Sequence, residues 1–135
     1  MNINRIKEKS FSGRINLGTQ IGYSNEIISE NELISFIQEY QDNLIRDKNL
    51  YLSVSLSASK VILSGQIEPH FQLSFINYPR FPQGGEVLKR EIETLAKALL
   101  KKFFQNRIVV EFAQETIMFE VTGGVDPRIK KSIQV

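Results

Sequence analysis

The chain contains no cysteine, which removes disulfides, thiolate metal sites and cysteine nucleophiles together. Its only histidine is His70, so no histidine cluster can hold a metal, and a Ser-His-Asp triad would have to run through that one residue. No metal and no cofactor is expected on these grounds. No apolar run approaches the roughly 20 residues of a membrane-spanning helix. The opening stretch 1–10 is polar and charged, without the apolar segment of a secretory signal. A cytoplasmic location, with no membrane partner, is the expectation. No P-loop, no G-x-G-x-x-G run and no other nucleotide fingerprint occurs.

Charge is modest overall, with a formal net of +2 over 135 residues, a length that suits one domain with a sizeable core. It is unevenly spread. Arg5, Lys7, Lys9 and Arg14 against Glu8 give residues 1–14 a net +3. Arg128, Lys130 and Lys131 against Asp126 give residues 124–135 a net +2, which leaves the middle at −3. Residues 1–13 read as a basic N-terminal extension, 14–123 as a single domain and 124–135 as a C-terminal tail. Basic ends can meet anionic surfaces, but solvated tails are the ordinary reading.

What is present is an arrangement that occurs twice, 58 positions apart. Residues 30–65 and 88–123 each read as a helix, a strand and a second short strand, ending at Ser64-Gly65 or Thr122-Gly123. A strand-like run precedes each copy, 14–23 and 69–78. Two β-α-β-β repeats forming one sheet with two helices on one face make an α+β fold.

In the first unit Ile15, Leu17, Thr19 and Ile21 alternate with Arg14, Asn16, Gly18 and Gln20, as in a half-buried strand. Ser29 or Asn31 can cap a helix whose stripe is Leu33, Phe36, Ile37, Tyr40, Leu44 and Ile45. Leu50, Leu52, Val54 and Leu56 then point inward from one strand, and Val61 and Leu63 from a second. In the second unit Phe71, Leu73 and Phe75 face inward ahead of a breaker-rich loop, 77–85. The helix over 86–104 has a broad apolar face, with acids early and lysines late as the helix dipole favours. A hairpin turned around Ala113-Gln114-Glu115 completes the unit.

Two helices can cover only one face of such a sheet. The other presents Asn16, Gln20, Tyr51, Ser53, Ser55, Ser57, His70, Gln72, Ser74, Val109, Glu111, Thr116, Met118 and Glu120, a half-polar surface that water, a ligand or another subunit can occupy. An RNA-binding sheet would stack bases on exposed aromatics. Here Phe71, Phe75, Phe112 and Phe119 share the inward face and Tyr51 alone points out, which argues against nucleic acid.

Tyr51-Leu52-Ser53-Val54-Ser55, followed by Val61-Ile62-Leu63-Ser64-Gly65-Gln66-Ile67-Glu68-Pro69, resembles the middle of the macrophage migration inhibitory factor-like members of the tautomerase superfamily. Asn106-Arg107-Ile108-Val109-Val110-Glu111-Phe112 resembles that family's strand after its second helix. The resemblance spans about residues 14–123, and ferredoxin-like folds share the same order of elements. It implies a homotrimer with sites at subunit boundaries, and keto–enol tautomerase chemistry. The family's N-terminal proline base is missing, since the chain begins Met1-Asn2 and its prolines are Pro69, Pro79, Pro82 and Pro127. The expectation is therefore a tautomerase-fold oligomer without that base, binding a small molecule or serving structurally. One alternative is an active keto–enol isomerase on a small keto acid, with His70 or Glu111 as its base. Another is a ferredoxin-like protein-interaction module.

Arg14, Arg80, Gly84 and Gly85 are the residues expected to bind a ligand. Arg80 and the two glycines precede the second helix, whose first N–H groups favour an anion, and an arginine can hold a carboxylate in bidentate fashion. A small carboxylate is the ligand expected there, while an arginine stacked on Phe81 or Tyr78 is the plainer alternative. His70 shares a strand face with Glu68 and Gln72, either as a general base or as a hydrogen-bonded structural histidine. Glu111 and Glu120 could meet across the final hairpin, although exposed carboxylates paired with Arg or Lys are ordinary.

Overall fold

The computed structural model describes residues 1–21 and 26–122; Tyr23 of the expected first strand and the tail over 124–135 lie outside them. The elements run β1 (Ser12–Gly18), α1 (Glu30–Lys48), β2 (Ser55–Leu63), β3 (Gln66–Ile76), α2 (Gly85–Lys102), β4 (Arg107–Phe112) and β5 (Thr116–Glu120). The five strands form one sheet in the order β2-β3-β1-β4-β5, and every neighbouring pair is antiparallel. Without β5 this is the split β-α-β-β-α-β arrangement. The α+β class expected from the doubled pattern holds.

Local chemistry explains the helix ends. The Ser29 hydroxyl accepts the Glu32 N–H at 3.0 Å and opens α1. Asn49, at φ 51°, closes it by donating its N–H to the Ile45 carbonyl at 3.0 Å. α2 starts at Gly84 without a side-chain cap and relies on its apolar face, where Leu88, Ile92, Leu95, Ala96, Leu99 and Leu100 are buried. These side chains join Ile15, Leu17, Leu73, Phe75, Ile108 and Val110 in a single core. Full burial of such a side chain contributes about 1.5–3 kcal/mol, so the helix-covered face carries most of the stability. One charge is buried there: Glu91, 2% exposed, accepts from Lys48 Nζ at 2.8 Å and ties the end of α1 to α2. Burial, and then the Glu91 charge, push the Tyr40 hydroxyl above its ordinary pKa. No described helix is long and apolar enough to cross a membrane.

The two units diverge in their strands. In the second, β4 and β5 are a hairpin whose turn is closed by the Phe112 N–H on the Glu115 carbonyl at 2.8 Å. In the first, the two strands expected over 50–57 and 61–64 are one continuous strand, Ser55–Leu63. β3 is long enough to pair with all of it, from Ser55↔Ser74 to Leu63↔Gln66. Continuity imposes one parity: Leu56 and Ala58 face the helices with Leu73 and Phe71, so Val61 and Leu63 fall on the other face with Ser57 and Ser59. Expected inward, they are 41% and 47% exposed. Leu50 and Leu52 are buried as expected but precede the strand. The β2–β3 turn puts Ser64 and Gly65 at positive φ, which glycine adopts without steric cost. β1 begins at Ser12, inside the segment expected as an extension, and Phe11 packs edge-on against Phe112 with ring centroids 6.0 Å apart.

Candidate functional site

The uncovered face of the sheet holds the convergent chemistry. Antiparallel register sets His70 between Gly18 of β1 and Ser59 of β2, two small residues that leave room for its ring. A hollow of about 310 Å3 opens at this end of the sheet, lined by Asn16, Gly18, Val61, Leu63, Gln66, Glu68, His70, Gln105, Asn106, Arg107, Ile108, Val109 and Met118. That volume is at the small end of ligand clefts, which run to about 1,000 Å3. Val61, Leu63, Val109 and Met118 form an apolar wall, and Glu68, His70, Gln105 and Arg107 supply the polar groups.

Glu68 is held at both oxygens. Gln66 Nε2 donates to its Oε2, and His70 Nε2 lies 3.2 Å from its Oε1. Gly18 makes the arrangement possible, because a Cβ there would collide with Glu68 Oε1 and stand 2.9 Å from Gln105 Oε1. Two acceptor oxygens thus converge over one glycine. Gln105, 8% exposed, spends its Nε2 on the carbonyls of Gln20 (2.7 Å) and Phe103 (3.1 Å), which leaves its oxygen for the hollow. The chain reaches it through Phe104, whose φ of 52° turns the backbone sharply after α2.

His70 Nδ1 is buried and has no hydrogen-bond partner among the described residues. A carboxylate only accepts, so in the neutral ring Nε2 carries the hydrogen and Nδ1 is a bare acceptor. Enclosing a polar atom unpaired costs about 1–3 kcal/mol, a cost that an apolar side chain at this position would avoid.

The residues singled out from sequence fall in three places. His70 is in this hollow. Arg14 and Glu111 are on the same face but nearer its centre, where Glu111 accepts from Asn16 Nδ2 at 2.8 Å and lies 3.9 Å from Arg14 Nη1. Glu111 and Glu120 do not oppose each other: Glu111 pairs with Thr116, while Glu120 pairs with Arg107 and takes its Nε at 2.9 Å. Arg80, Gly84 and Gly85 are exposed beyond the far end of β3. A hollow of about 400 Å3 there includes both glycines but not Arg80. Its polar groups serve each other, with Asn77 donating to the Lys9 carbonyl and accepting the Gln83 N–H, both at 2.9 Å. Phe81 of this loop stacks on Tyr51, ring centroids 4.2 Å apart. The smaller hollow is therefore the better site. Among the described residues no three His, Asp or Glu side chains gather as a metal site.

Sequence reasoning passed over Gly18, Gln66 and Gln105 and treated Glu68 only as a neighbour of His70. The available signal was the shared parity of residues 66, 68 and 70 opposite a glycine in β1.

No family model matches the sequence, and no curated protein matches it. Two solved structures match the fold: a phage SAM lyase in its apo state, with a TM-score of 0.69, and a phage SAM lyase in complex with S-methyl-5'-thioadenosine, with a TM-score of 0.62. Each shares 17% sequence identity and covers 90% of this chain and 97% of its own. The likeness is one of fold. It overturns the resemblance to tautomerases of the macrophage migration inhibitory factor kind. The expected functions fall too: the tautomerase-fold oligomer that binds a small molecule or serves structurally, the active keto–enol isomerase, and the ferredoxin-like interaction module. The physical reason lies in the run Ser64-Gly65-Gln66-Ile67-Glu68-Pro69, whose Ser64-Gly65 pair encodes a tight turn between two antiparallel strands and whose Glu68 serves the hollow. Such turn and strand patterns recur across unrelated sheets.

Proposed function

We propose that this protein cleaves S-adenosylmethionine (SAM) at its sulfonium, releasing S-methyl-5'-thioadenosine. The fold likeness to phage SAM lyase over 90% of the chain carries the reading. The Glu68 hollow supports it, because it offers counterparts to the ammonium, the carboxylate and the methylated sulfur of that substrate. Glu68 and the Gln105 oxygen, converging over Gly18, suit the substrate's ammonium. Arg107, the guanidinium among the lining residues, suits its carboxylate. Val61, Leu63, Val109 and Met118 give the methylated sulfur an apolar wall.

Release of S-methyl-5'-thioadenosine requires the bond between sulfur and the aminocarboxypropyl chain to break. The electron pair passes to sulfur and cancels its positive charge. The carbon fragment balances by giving up a proton or by closing on its own carboxylate, so neither water nor a cofactor is consumed. A cation that is being discharged is favoured over the starting sulfonium in apolar, dry surroundings, which is the use of that wall. Self-association through the open face is part of the same proposal, since a second copy would enclose a hollow now open on one side and cover Val61, Leu63 and Met118.

The test is to incubate the purified protein with SAM and resolve the products by mass spectrometry. Appearance of S-methyl-5'-thioadenosine, strongly slowed in Glu68→Gln, supports the reading; a folded protein that leaves SAM intact refutes it.

A further inference from the structure

Resting on that reading, we infer that His70 is a positioning residue, whose Nε2–H fixes Glu68 Oε1 over Gly18 and which takes no proton from substrate. Gln66 donates to Oε2 of Glu68, and His70 Nε2 lies 3.2 Å from Oε1. Gln66 is 7% exposed, and the side chains of His70 and Glu68 are 16% and 19% exposed, so the clamp is largely shielded from water. Removing the imidazole would take away one of the contacts that keep Oε1 over Gly18.

The orphaned Nδ1 separates this role from that of a general base. An imidazole that collects a proton at one nitrogen passes charge on by donating from the other, as in a histidine backed by a carboxylate. Here the other nitrogen is enclosed and unpaired among the described residues, so a ring that kept Nε2 bare to take a proton would have to carry its hydrogen on Nδ1, as a buried N–H with no acceptor. The nitrogen that could face substrate is already aimed at Glu68. The ring is thus placed to hold Glu68 rather than to face substrate. Gly18 on one side and Ser59 on the other give it the slot in which it is held.

His70→Ala and His70→Gln test the assignment together. Gln keeps an N–H donor at similar reach and has no ring to titrate. His70→Ala should lower kcat/KM for SAM by about 10²-fold, the scale of a misplaced reacting group, and His70→Gln should recover most of it. A base role predicts that the two variants are equally inactive, which would overturn the inference. Crystal structures of both variants give a readout that does not depend on turnover. Glu68 Oε1 should leave Gly18 in His70→Ala and remain there in His70→Gln. An unmoved Glu68 in His70→Ala overturns the inference even if the wild-type protein cleaves SAM. If the wild-type protein does not cleave SAM, the functional reading fails, while the two crystal structures still decide the role of His70 in placing Glu68.

Discussion

The two faces of the sheet are built from different chemistry and do different work. The helix-covered face packs Ile15, Leu17, Leu73, Ile92, Leu95 and Leu99, each at most 1% exposed. The open face carries polar side chains on the same strands, one residue out of phase, and ties them into short networks such as Gln72–Asn16–Glu111. A two-residue period lets one strand serve both purposes at once. Stability and the site can therefore be changed separately here, because few side chains belong to both.

Substitutions that fall on one face or the other can break that separation. The largest effect should come from Ile92→Ala, which leaves a cavity in the core and should cost about 2–5 kcal/mol in denaturant unfolding. The part of the population that stays folded should keep its SAM turnover. Glu68→Gln should do the reverse, with kcat/KM down about 10²-fold, equivalent to about 2.7 kcal/mol, and the unfolding midpoint almost unchanged. Gly18→Ala sharpens the comparison further. Its new methyl meets only the side-chain ends of Glu68 and Gln105 and no backbone, so we expect activity to fall by roughly tenfold at little cost in stability. A stability loss matching that of Ile92→Ala would show that the site supports the fold.

Smaller effects come from groups remote from the hollow. The raised pKa of Tyr40 means that the folded chain holds that proton more tightly than the unfolded one. The stability this contributes is fully present below the ordinary tyrosine pKa of 10.0 and is lost as pH rises through the higher folded value. Tyr40→Phe should therefore flatten the alkaline fall in melting temperature and leave turnover at neutral pH unchanged. Arg80→Ala, on the exposed loop at the far end of β3, should alter SAM turnover by less than about twofold, in line with an exposed substitution away from any such feature.

Much of the fold was legible because its signals are local. The stripe of α1, the cap at Ser29, the dipole-matched charges of α2 and the turn at Ser64-Gly65 are each written in adjacent residues. The open face was legible as polar, and His70 and Glu68 as sharing it. The hollow itself was not, for two reasons. Splitting β2 reversed the parity of Val61 and Leu63, which hid their half of the apolar wall and left Val109 and Met118 isolated on that face. The second reason is distance along the chain: Gly18, Glu68 and Gln105 meet only through the β3-β1-β4 order and the turn at Phe104. The loop over 77–85 drew attention instead because glycine, proline and arginine are conspicuous in sequence. In the structure its groups bond to one another or stack.

Where the ligand sits decides between the two ends of the sheet most directly. S-methyl-5'-thioadenosine titrated into isotopically labelled protein should shift the amide signals of Gly18, Glu68, His70, Gln105 and Arg107 and leave those of Arg80, Gly84 and Gly85 in place. Shifts confined to the Arg80 end, or none at saturating ligand, would contradict the assignment of the open face as the site.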